Sequence, residues 1–83
     1  MKYISYQQIQ KVLRLALSIT DITIKAAAEQ AQISNHTLYR WTSKDGAQLS
    51  QENTDKLYEY FADVWPQQLA AAEQMLETME EPR

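Results

Sequence analysis

The chain has 83 residues, a formal net charge of −3, one glycine, two prolines, no cysteine and one histidine. That length holds one core, so 1–83 reads as a single domain. Scarce Gly and Pro with 45% hydrophobic residues point to helices. Without cysteine there is no disulfide framework or thiolate zinc site, and a lone histidine completes no metal constellation; one glycine builds no phosphate-cradling loop. No cofactor and no small-molecule substrate are expected. No apolar run approaches the ~18 residues of a membrane span, and the opening MKYISYQQIQKV lacks a signal's apolar stretch. A cytoplasmic protein with no membrane partner is the expectation.

The charge is unevenly distributed. Residues 1–46 sum to +3 and residues 47–83 to −6, so a phosphate-facing surface would lie in the first half.

In chain order, Ser5 followed by Gln8 fits a capping box. Tyr6, Ile9, Leu13, Ala16 and Leu17 then form the apolar stripe of a helix over about 6–18, with Gln7, Gln10, Lys11 and Arg14 mostly off it. Thr23 caps a short second helix, about 24–31, whose alanines let other backbones approach closely. Ser34 caps a third, about 35–42, with Leu38 and Trp41 inward. Around Gly46 lies the principal loop, where a positive φ suits glycine.

Ser50 caps a fourth helix, about 51–65, with the stripe Leu57, Tyr60, Phe61 and Val64. Pro66 breaks the chain into a fifth, about 67–80. There Leu69, Ala72, Leu76 and Met79 form a heptad-like seam. The seam fits either packing on its own domain or pairing with a second copy, and a homodimer is the favoured reading. The fold class expected is all-α, a compact bundle of about five helices.

The stretch TIKAAAEQAQISNHTLYRW, residues 23–41, reads as a helix-turn-helix unit extending to about 42. Ala28 sits at the crossing, and Ala31, Ile33, Leu38 and Trp41 supply the small core that fixes the angle. Over about residues 6–65 the chain resembles the lambda-repressor-like helix-turn-helix DNA-binding family. The resemblance rests on the leading helix, the crossing alanine, the apolar residue ending the turn, the pair Leu38 and Trp41, and the Leu-Ser-Gln-Glu-Asn stretch opening a later helix. One position departs from the family: its usual turn glycine is Gln32 here, where a left-handed residue other than glycine costs about 1–2 kcal/mol.

The resemblance implies a regulator of the repressor type that binds double-stranded DNA; no enzyme is expected, because no paired carboxylates, nucleophile and base, or metal ligands occur at telling spacing. It sets the start of the third helix against base edges, which assigns Asn35, His36, Thr37, Tyr39 and Arg40 to base reading. The side chains suit that role, since arginine pairs bidentately with guanine, asparagine with adenine, and a threonine methyl meets thymine's. Thr23 and Lys25, at a helix amino terminus that attracts anions, together with Ser43 and Lys44, are the phosphate candidates. Trp41 is expected in the core, while Tyr39 is open to either role. Glu52, Asp55, Glu59 and Asp63 recur at helical spacing as a solvated face. The alternative function is a small adaptor or antirepressor that binds protein through the acidic, aromatic carboxyl half.

Overall fold

A computed structural model of the chain describes residues 6–43 and 48–80. They form five α-helices: α1 (Tyr6–Ile19), α2 (Ile24–Ala31), α3 (Asn35–Ser43), α4 (Gln51–Val64) and α5 (Pro66–Glu80). The class is all-α, and no strand occurs among the described residues. Ser5 and the loop glycine Gly46 lie outside the described residues, as do the capping box and positive φ expected there.

α1 is the central element because it packs against both α4 and α5. Ile9, Leu13 and Ala16 are buried as the stripe requires, and Val12 is fully buried beside them. Leu17 is only partly buried. Gln10, assigned by spacing to the polar side, is in fact buried. Its amide Nε2 donates to the Leu49 carbonyl at 3.2 Å and to Thr54 Oγ1 at 3.5 Å, while its Oε1 accepts from the Leu49 N–H at 3.2 Å. The side chain thus pairs with backbone as a neighbouring strand would, and fastens the segment before α4 to α1. Two helices flank α1, so its buried arc is wider than one apolar stripe.

α2 is short enough that its ends decide its stability. At the start, Thr23 Oγ1 accepts from the Ala26 N–H at 3.1 Å. At the end, Gln32 adopts φ 62° and ψ 44°, the one positive-φ non-glycine among the described residues. The Ile33 N–H reaches the Ala28 carbonyl at 2.8 Å and the Gln32 N–H the Glu29 carbonyl at 3.3 Å. These are the two bonds of a Schellman termination, and Ile33 and Ala28 are both buried at its apolar contact. The left-handed glutamine that the sequence implied is therefore present and held: its carbonyl also accepts from Lys56 Nζ at 3.4 Å. Ser34 Oγ then accepts from the Thr37 N–H at 3.4 Å to open α3.

Ser50 caps α4 through the Asn53 N–H at 3.2 Å. Leu57, Tyr60 and Phe61 are buried, but Val64 is 46% exposed and leaves the stripe. At this last turn Trp65 leaves helical geometry, as the residue before a proline tends to, and Pro66 opens α5. The Trp65 indole N–H donates to the Tyr60 hydroxyl, which donates to Gln30 Oε1, each at 2.7 Å. That relay ties the α4–α5 corner to α2.

The seam on α5 requires a correction. Leu69, Ala72 and Leu76 are buried in the core that α5 forms with α1 within one chain, so they are not available to a second copy. Of the two readings open to the seam, packing on its own domain holds for these three. The Met79 side chain lies outside the described set.

Two substitutions test this account. Gln32→Gly removes the left-handed penalty while keeping both turn hydrogen bonds, and should raise stability by about 1 kcal/mol in urea unfolding; a loss would contradict the strain argument. Gln10→Ala strands the buried Leu49 amide and carbonyl and should cost about 2–3 kcal/mol in the same assay, against under about 0.5 kcal/mol for an ordinary surface glutamine.

Candidate nucleic-acid interface

α3 is two-sided because Leu38 and Trp41, three residues apart, both turn into the core: Leu38 is fully buried and Trp41 1% exposed. Side chains at 36, 39, 40 and 43 must then share the opposite face. His36, Tyr39, Arg40 and Ser43 are all exposed, and Asn35 is exposed in the first turn. Thr37 lies at the margin, half-buried. Tyr39 is 59% exposed, which places its ring on the surface. Five polar or aromatic side chains on nine residues of helix give a surface rich in donors and acceptors, with Arg40 as its cation.

The start of α2 adds a second component. Thr23 and Lys25 are exposed. The Thr23 hydroxyl oxygen is engaged by the Ala26 N–H, which leaves its own proton for an outside acceptor. The first N–H groups of any helix have no intrahelical acceptor and carry the positive end of its dipole. Ile24 at the start of α2 and Thr42 near the end of α3 line one groove. Lys44 lies outside the described residues.

Sequence reasoning missed the residue that fixes the orientation of α3. Arg14, assigned to the polar side of α1, is partly buried and its Nη2 donates to the Trp41 carbonyl at 3.2 Å. Its guanidinium carbon stands 5.0 Å from the centre of the Trp41 ring. The last four carbonyls of a helix lack intrahelical donors, so Arg14 caps α3 from another helix and meets the negative end of its dipole. The cation–π contact adds about 0.5–2 kcal/mol depending on desolvation. Gln10 and Arg14 stand one turn apart on α1, and nothing in their types distinguishes them from a solvated face. Only the position of the later helices makes that face internal.

The acidic residues lie elsewhere. Glu52, Asp55, Glu59 and Asp63 are all exposed along α4, and Glu52 pairs with Lys56 at 3.6 Å. An exposed pair of this kind contributes little. Among the described residues no three of His, Cys, Asp or Glu come together as metal ligands, and no helix is long and apolar enough to cross a membrane. Comparison of the chain with protein-family models, with curated proteins and with solved structures finds no match.

Proposed function

We propose that the chain is a sequence-specific regulator that binds double-stranded DNA, with α2 and α3 acting as a helix-turn-helix unit of the lambda-repressor-like type. The observation that carries this reading is the two-sidedness of α3. Leu38 and Trp41 anchor it, Asn35, His36, Tyr39 and Arg40 occupy the side away from the core, and Thr37 lies at its half-buried margin. A helix presented this way fits the B-DNA major groove, which is about 12 Å wide. Arg40 reads guanine and Asn35 adenine, each good pair discriminating by about 1–3 kcal/mol. Thr23 and Lys25 hold a phosphate beside them. The regulator acts as a repressor by occupying its site.

Few cations on this side mean few phosphate contacts, so the salt dependence is shallow, about −0.9 in log–log slope for each phosphate neutralised. A lone domain of this charge binds modestly, and a symmetric homodimer on a pseudo-palindrome with half-sites ~34 Å apart supplies the missing affinity. Its contact is not the Leu69, Ala72 and Leu76 seam, which α1 covers.

One observation favours the second reading, an adaptor or antirepressor. Val64 is 46% exposed beside Glu59 and Asp63, on a groove between α2 and α4. An exposed aliphatic flanked by carboxylates suits a cationic protein surface.

Selection from a random duplex pool at low and moderate salt, run with wild type and Arg40→Ala, separates the two. DNA reading predicts an enriched motif with paired half-sites, and loss of one base preference with Arg40→Ala at a cost of about 1–3 kcal/mol. If no sequence is enriched at low salt, the DNA reading fails. Loss of function on Glu59→Lys with Arg40→Ala unaffected would support the adaptor.

A further inference from the structure

A groove of about 340 Å³ lies between the carboxyl end of α2 and the later turns of α4. Gln30, Ala31 and Gln32 bound it on the α2 side, and Glu59, Asp63 and Val64 on the α4 side. All of these except Ala31 are exposed, and Val64, at 46%, is an apolar side chain that the rest of the chain leaves open.

Two independent features make this groove electronegative. Glu59 and Asp63 stand one turn apart on α4, and neither forms an ion pair among the described residues. Like charges at that spacing repel, and a cation placed between them relieves the repulsion. The residues on the facing side end α2, where the last carbonyls lack intrahelical donors and carry the negative end of the helix dipole. The Schellman turn satisfies the Ala28 and Glu29 carbonyls and Lys56 the Gln32 carbonyl, whereas those of Gln30 and Ala31 meet no donor among the described residues. Lys56, the one cation lining the groove, is already engaged by Glu52 at 3.6 Å and by the Gln32 carbonyl at 3.4 Å. The unpaired charges of the groove are therefore both negative, and they stand beside an exposed aliphatic.

We propose that this groove docks an arginine side chain of a partner protein, its guanidinium between Glu59, Asp63 and the last carbonyls of α2 and its methylene stem on Val64. A guanidinium brings five N–H donors in a planar fork that meets carboxylates and carbonyls at once. Its stem covers aliphatic surface while the charged head stays polar. An ammonium is a compact, more strongly hydrated point charge and gains less from the same acceptors. The groove lies at the end of α2 opposite Thr23 and Lys25, about 12 Å along a helix of eight residues, so a cation here meets the negative end of the dipole whose positive end faces those two. The proposal deepens the adaptor reading, on which its biological use rests, by naming the partner's chemistry; it does not rest on DNA binding.

The test is titration of the full ¹⁵N-labelled chain at low salt with three blocked dipeptides, acetyl-Leu-Arg-amide, acetyl-Leu-citrulline-amide and acetyl-Leu-Lys-amide, followed by amide shifts. The arginine peptide should give saturable shifts at residues 30–32 and 59–64 that fade as salt rises. Citrulline keeps the shape and loses the charge, and should bind at least about fivefold more weakly; lysine should bind at least about twofold more weakly. Glu59→Gln combined with Asp63→Asn, both at exposed positions, should bring the arginine peptide down to the citrulline level and leave the fold intact. Val64→Ser should weaken all three peptides. Shifts absent from the groove, equal binding of arginine and citrulline, or lysine bound as tightly as arginine would overturn the site. Its failure is distinguishable from that of the adaptor reading. Loss of function on Glu59→Lys without dipeptide binding overturns the arginine site alone, whereas dipeptide binding with full function in Glu59→Lys removes the adaptor reading and leaves the site.

Discussion

The burial of Trp41 is the constraint on which the arrangement of α3 depends. At 1% exposure it is the largest fully buried side chain among the described residues, and truncating such a residue costs about 3–5 kcal/mol. No other rotation of α3 about its axis buries both Trp41 and Leu38, so the outward set at 35, 36, 39, 40 and 43 follows from the inward pair. Arg14 then fixes the same helix from the side, through the Trp41 carbonyl and the indole face. The Schellman turn fixes its angle to α2: a left-handed Gln32 delivers the chain into α3 after three residues, and Ala28 at 0% exposure allows close approach. Core packing and a left-handed turn thus leave a polar side of α3 facing away from the core.

The electrostatic pattern has the same logic. Lys25 at the start of α2 and Arg40 on α3 are exposed, while Glu52, Asp55, Glu59 and Asp63 lie along α4. Under the proposed function, a field divided in this way would orient a polyanion toward the α2–α3 side despite a net charge of −3.

Much of this was legible in the sequence. Thr23, Ser34 and Ser50 announce three helix starts because a short oxygen-bearing side chain just before an apolar period has one strong use, and each does cap. Pro66 announces the break for an equally local reason. What escaped was non-local. Gln10 and Arg14 look like surface residues until the segment before α4 and the end of α3 arrive beside them, contacts 39 and 27 residues away. The α5 seam is the same error reversed: a heptad spacing shows that a face will be covered, but whether α1 or a second copy covers it depends on how far the chain folds back. Val64 fell outside the core because α4 ends there, a boundary one residue earlier than periodicity suggested.

The claim at the centre of the account is that the outward side of α3, with the start of α2, meets duplex DNA. Amide shift mapping on the labelled chain with a short duplex of arbitrary sequence at low salt tests it most directly, because weak non-specific binding already reports the face used. The account predicts shifts concentrated at residues 23–25 and 35–43, fading as salt rises, with the α4 residues 52–63 unmoved. Shifts centred on α4, or none at any salt, would contradict it.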